Sequence, residues 1–200
     1  MAISLKKGGK ISLVKVAEEN GVAALDNILV GLGWDVNQYS GGGDFDLDAT
    51  VFVCDASGQA LKGNDGNDGM VYYNNKDVAG IHHTGDNRTG DGEGDDEAIE
   101  VTLSQLNPEV EKLAFTVTIY QAEERKQNFG MVSNAYVRLV DKNTGKELLR
   151  YDLGEDFSVE TGIVVAEVYK KDGEWKFSAV GAGYANGLLG LCRQYGVDVE

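Results

Sequence analysis

Along most of this chain apolar residues alternate with polar ones at a period of two, or form short apolar runs closed by Gly, Asn or Asp. That is the pattern of strands buried on one or both faces. Nine segments fit it: residues 28–34, 45–54, 70–73, 99–103, 112–121, 135–140, 147–153, 164–170 and 175–180. Two junctions carry hairpin chemistry. Asn143-Thr144-Gly145 and Lys171-Asp172-Gly173 place residues that tolerate positive φ between strand-like flanks, so the strands they join are antiparallel neighbours. Pro108, after Asn107, marks a turn ahead of the strongest strand. Residues 184–195 predict a C-terminal helix stopped by Gly196, and 121–127 a single helical turn. Gly187 and Gly190 inside the helix each weaken it by roughly 1 kcal/mol relative to Ala, a cost that fits close packing on a sheet. The pattern as a whole predicts a mostly β chain, an antiparallel two-sheet β-sandwich with a short C-terminal helix, as one domain over residues 1–200.

Two hundred residues at 42% hydrophobic content fill one ordinary core. The apolar run Ile11-Ser12-Leu13-Val14 is broken by Lys15 before it reaches the length of a signal-peptide core, and no stretch approaches that of a membrane-spanning helix. Cys54 and Cys192 sit among apolar residues and read as buried thiols of a reducing compartment. A cytoplasmic protein is expected.

Charge changes the picture more. Residues 16–111 hold 20 Asp and Glu against three cations, Lys62, Lys76 and Arg88, so this segment alone exceeds the net −15 of the chain. Nucleic-acid grooves and polybasic membrane patches need clustered Lys and Arg, so the asymmetry argues against both. The imbalance favours a bound hard cation. In Asp44-Phe45-Asp46-Leu47-Asp48-Ala49 a strand would set Phe45, Leu47 and Ala49 on the core face and Asp44, Asp46 and Asp48 on the other, about 7 Å apart. A solvated face accounts for three such acids equally well, except that Asp is a poor strand former. The second cluster, residues 86–97, puts six carboxylates and one cation into twelve residues, with Gly90, Gly92 and Gly94 between them. A flexible acidic hairpin tip is its plain reading; the glycines also let the backbone turn carbonyls and side chains inward.

Calcium takes six to eight oxygens from carboxylates, amides, carbonyls and water, and the loop supplies each protein type. An EF-hand is excluded on spacing, because Arg88 and Gly90 fall where ligands belong and Asp91 where the turn glycine does. Magnesium prefers fewer carboxylates, and zinc would want Cys or His. His82 and His83, adjacent on a strand, point to opposite faces and cannot chelate together, so a structural or outer role is expected of them. The 62–69 stretch reads as an ordinary solvated loop, Gly41-Gly42-Gly43 as freedom before the acidic strand, and Gly181-Ala182-Gly183 lacks the second strand of a dinucleotide fold. The expected ligands of Ca²⁺, as two ions, are Asp46, Asp48, Asp86, Asn87, Thr89, Asp91, Glu93, Asp95, Asp96 and Glu97, with Asp35 and Asp44 peripheral. No catalytic set is recognisable; the competing class is a metal-dependent hydrolase using the acidic loops as its metal site.

Gly33-Trp34-Asp35, Phe45-Asp46-Leu47-Asp48-Ala49, Tyr73-Asn74-Asn75, the run from His83 to Gly90, Gly94-Asp95-Asp96-Glu97, Thr116-Val117-Thr118-Ile119-Tyr120, Gln127-Asn128-Phe129-Gly130 and Glu174-Trp175-Lys176-Phe177 together resemble the TerD family of bacterial tellurium-resistance proteins over nearly the full length. The resemblance implies a β-sandwich that binds calcium through its acidic loops in resistance to tellurite, phage and colicins; with no catalytic set recognisable, a non-enzymatic role is expected. It also implies partners among other Ter-family stress proteins, a membrane-bound component included, near the cytoplasmic face of the inner membrane, with no nucleic acid and no direct membrane insertion. In place of the family's usual Glu and Asp around Gly92, this chain has Asp91 and Glu93, still two carboxylates.

Overall fold

The computed structural model describes residues 2–35, 44–62, 69–87, 89, 94–153 and 157–198. Its elements run β1 (Ile3–Ser4), β2 (Lys10–Ser12), α1 (Leu13–Asn20), β3 (Asn27–Gly33), β4 (Leu47–Cys54), β5 (Met70–Val71), β6 (Asp77–Val78), β7 (Ile81–His83), β8 (Glu97–Thr102), β9 (Lys112–Ile119), α2 (Ala122–Arg125), β10 (Tyr136–Asp141), β11 (Lys146–Asp152), β12 (Gly162–Lys171), β13 (Glu174–Tyr184) and α3 (Gly187–Tyr195). They form two sheets, in strand order β1-β11-β10-β3-β8-β7-β6 and β2-β13-β12-β9-β4-β5. Described pairings are antiparallel except β1 on β11. This is the mostly β, two-sheet sandwich with a short C-terminal helix that the alternation predicts.

The period-two residues face each other across the core. Leu47, Ala49, Val51 and Val53 of β4 meet Val30 and Leu32 of β3 and Ile99 and Val101 of β8 within one apolar cluster. The opposite face of β4 is divided. Phe52 and Cys54 lie in a second cluster with Leu191, Cys192 and Tyr195 of α3, the Phe52 and Tyr195 rings stacked at 4.5 Å. The acids Asp46 and Asp48 share that face at the other end of the strand, where α3 does not reach.

Both expected hairpins form. Asp172 (φ 57°) and Gly173 (φ 78°) make the two-residue turn between β12 and β13, and Gly145 (φ 69°) closes β10 on β11. Helix α3 ends at Gly196 as expected but begins at Gly187, because β13 keeps pairing as far as Tyr184, opposite Gly162. A Cβ on Gly162 would lie 3.1 Å from the Gly187 backbone, so the close approach there depends on glycine. Helix α1 was not expected. Ser12 caps it by accepting from the Val14 and Lys15 amides, Gly21 ends it, and Leu13, Val16, Ala17 and Asn20 turn inward. Two turns give too short a stretch for periodicity to separate from the flanking strand-like residues. No helix among the described residues is long and apolar enough to cross a membrane.

Candidate metal centre

The acidic strand end and the acidic loop belong to different sheets, and the geometry that joins them starts at Ala49. Strand β5 pairs with β4 at Val51 and Phe52, so Ala49, opposite Val117 of β9 on one side, has no strand partner on the β5 side, to which its N–H and C=O point. A buried N–H and C=O left unpaired would be costly. Two inward side chains from the other sheet supply the missing bonds. Glu97 Oε2 accepts from the Ala49 amide at 2.7 Å, and His83 Nε2 donates to the Ala49 carbonyl at 3.2 Å. The tautomer follows from the other ring nitrogen, since His83 Nδ1 accepts from the Gly85 amide at 3.2 Å. His83 and Glu97 are 0% and 1% exposed, with Nε2 and Oε2 3.4 Å apart. Burial pushes the Glu97 carboxyl above its ordinary range, against the pull of its bonds to His83, Ala49 and Asn87.

From this pin the loop is set residue by residue. Glu97 Oε1 accepts from the Asn87 amide, Asp96 Oδ1 from the Asn87 side chain, and Asp96 Oδ2 from the Trp34 amide at 2.9 Å. Asn87 Oδ1 in turn accepts from the Thr89 amide. The neighbour Asp86 is thereby carried over β4, where Asp46, Asp48 and Asp86 each present a carboxylate oxygen within 4.8 Å of the others. Two unit charges at that separation repel by about 3.5 kcal/mol at an effective dielectric of about 20. Asp48 is 8% exposed, and its carboxylate makes no hydrogen bond or ion pair among the described residues. Burial, with Glu97, Asp46 and Asp86 adding to it, pushes its carboxyl up to about 7. A cleft of about 540 Å³ opens over the three acids, lined also by Asp44, Tyr73, Thr89, Tyr120 and Arg125.

Residues 1–195 match the TerD domain. The chain belongs to the TerD family. It is 46% identical over 202 residues to the tellurium resistance protein TerD of Serratia marcescens and 49% identical over 201 residues to general stress protein 16U of Bacillus subtilis, with all of each chain covered in both comparisons. The fold matches the crystal structure of a homologue of telluride resistance protein (TerD) from Streptomyces coelicolor, with a TM-score of 0.65, 23% identity, and coverage of 82% of this chain and 94% of that one.

Within this TerD domain the acids expected to act together are sorted into different jobs. Asp46, Asp48 and Asp86 converge, with Thr89 and Asp44 on the cleft wall. Asn87, Asp96 and Glu97 tie the loop to β3 and β4, as described. Asp95 is on the outer face of the β3 sheet, where Arg138 grips it through Nε (2.7 Å) and Nη2 (3.0 Å). Its carboxylate fills the space where a Cβ on Gly31 would stand, 2.1 Å away, and Tyr136 holds the Gly94 carbonyl beside it. Asp35 accepts from the Asn134 side chain at 2.6 Å and is not among the acids that meet. Asp91 and Glu93 lie outside the described residues, as do Gly41-Gly42-Gly43 and most of the 62–69 stretch. His82, exposed and 2.7 Å from Asp77, is on the opposite face from His83, as adjacency on a strand requires.

Three residues of the cleft were not among the expected ligands. Tyr73 lies just beyond β5, its phenol pushed up by burial first and Asp48 second. Tyr120 and Arg125 come from the end of β9 and from α2, with the guanidinium 5.2 Å from the Tyr120 ring and 3.6 Å from Asp46 Oδ2. A lone Arg in a charged surface turn carries no sequence signal of its own.

The donor set fits a hard cation. It offers carboxylates and a hydroxyl, no thiolate, and no imidazole, since both nitrogens of His83 are engaged. A buried carboxylate without a partner, raised toward neutrality, is what such an ion would restore to its charged form.

Proposed function

We propose that this protein is a calcium-binding, non-enzymatic stress-response protein that contributes to resistance to tellurite, and to phage and colicins, through calcium-dependent contacts with partner proteins. The observation that carries the reading is the convergence of Asp46, Asp48 and Asp86 from two sheets with Asp48 buried and unpartnered. Asp46, Asp48, Asp86 and Thr89 would hold the ion, and Asp96, Glu97 and Asn87 would keep Asp86 in place over β4. A Ca²⁺ ion there supplies charge neutralisation and joins the acidic strand of one sheet to the loop of the other. The names of the relatives, tellurium resistance and general stress, support the biological role.

The partners proposed are other Ter-family stress proteins, including a membrane-bound component, reached from the cytoplasm without insertion into the bilayer. Isothermal titration should show calcium heat that survives excess magnesium. Equal preference for magnesium, or no heat at all, would remove the calcium assignment. Pull-down from bacterial lysate with calcium against chelator tests the partner half; identical partner sets in both conditions would defeat it.

A further inference from the structure

The acidic cleft contains a cation of its own. Arg125 reaches it from α2, a four-residue helix after β9, with its side chain one-third exposed. Among the described residues its one ion contact is with Asp46 at 3.6 Å, beyond hydrogen-bond distance for a well-formed pair, and its five N–H donors make no hydrogen bond. The guanidinium is instead steadied over the Tyr120 ring. A positive group at this place opposes binding of a second positive group to Asp46, so for a cation site alone Arg125 is a handicap. The cleft, about 540 Å³, is also much larger than an ion needs, and Tyr73 and Tyr120 form part of its wall.

We infer that the cation-loaded cleft takes an oxyanion, a phosphate or carboxylate group, held between the metal ion on Asp46, Asp48 and Asp86 and the guanidinium of Arg125. The inference rests on the calcium reading above. Without the cation the three carboxylates repel any anion; with it the local charge is near neutral and the Arg125 fork faces a ligand-sized space. When Asp46 engages the ion, its loose pairing with Arg125 is exchanged for a pairing of Arg125 with the oxyanion. Guanidinium suits this task because its planar donors match two oxygens at once. Cation and oxyanion are then thermodynamically coupled, each tightening the other by the same factor.

The test is calorimetric titration of calcium into the full chain at pH 7.5 in an anion-poor buffer, alone and with inorganic phosphate below its precipitation limit, repeated with acetate. Phosphate or acetate should tighten calcium at least about fivefold in the wild type, and the probe that does so distinguishes a phosphoryl from a carboxylate source. In Arg125→Gln that coupling should vanish while calcium affinity in the anion-poor buffer stays equal or becomes tighter. A merely structural Arg125 would weaken calcium in both buffers, which overturns the inference. Arg125→Lys, keeping the charge without the fork, should keep part of the coupling; full coupling in Arg125→Gln, or none in a wild type that binds calcium, also overturns it. Absence of calcium binding in every buffer removes the calcium reading itself, and this inference with it.

Discussion

Replacing Asp48 by Asn keeps the shape of the side chain and removes one charge from the three, which makes its effect depend on calcium and pH in a way no packing change would. The Asp48 carboxyl is pushed up to about 7 in the folded protein, from an ordinary value of 3.8. Its folded value is raised, so its contribution to stability is full below about pH 4 and is lost as pH rises to about 7. At pH 8 without calcium the loss is on the order of 4 kcal/mol, since each pKa unit is about 1.4 kcal/mol. Asp48→Asn escapes that loss but buries an amide, at about 1–3 kcal/mol if unsatisfied. In chelator at pH 8 the variant should therefore be the more stable by about 1–3 kcal/mol. At 2–4 °C per kcal/mol for a chain of this length, its melting temperature should be higher by roughly 2 to 12 °C. At pH 5 the advantage should disappear, because the wild-type loss has shrunk to about 1.7 kcal/mol, within the cost of the buried amide. Calcium at a hundred times Kd should raise the wild type by about 2.7 kcal/mol and the variant by much less, cancelling or reversing the order at pH 8. Differential scanning calorimetry across pH 5 to 8, with calcium and with chelator, reads all four corners. A variant equally destabilised in every condition, or one with the wild-type calcium response, would refute the reasoning.

Three further outcomes follow from the same geometry. Calcium binding at pH 6 should release most of one proton, falling toward none by pH 8.5, and affinity should drop as pH falls below 7, because the ion must displace the proton on Asp48; titration in buffers of different ionisation enthalpy measures both. Glu97→Ala should cost about 1–3 kcal/mol for the buried Ala49 amide it leaves without an acceptor, and should weaken calcium by releasing the half-buried Asn87 amide and with it Asp86, seen as a lower melting temperature in chelator and a smaller shift with the ion. Gly31→Ala sets a Cβ 2.1 Å from the Asp95 carboxylate and should destabilise by about 1–3 kcal/mol through displacement of the Asp95–Arg138 pair, with heteronuclear NMR shifts at Gly94 and Arg138; unchanged spectra would contradict that packing.

The alternation of side chains was enough to specify the β class, the two tight hairpins, the C-terminal helix and the core face of β4, because a two-residue period and a positive-φ turn are properties of the local chain. The same locality made α1 and the short strands β1, β2, β6 and β7 illegible: two or three residues carry no period, and their pairing is decided by the sheet edge that receives them.

Density of charge marked out residues 44–48 and 86–97 as the chemistry-bearing segments, since like charges that close together need a counter-charge whatever the fold. Which acids meet, however, is a matter of which sheet each belongs to and which way its strand faces. Asp95, Asp96 and Glu97 are adjacent in sequence, yet one is gripped by Arg138 outside the sandwich, one holds Trp34, and one replaces a missing strand for Ala49. Asp86 instead joins Asp46 and Asp48, some forty residues away, and Arg125 arrives from a third segment. The sequence alone determined the amount and sign of charge; only the packing of two sheets, with their backbone bonds to be satisfied at the gap beside Ala49, decided where it is concentrated.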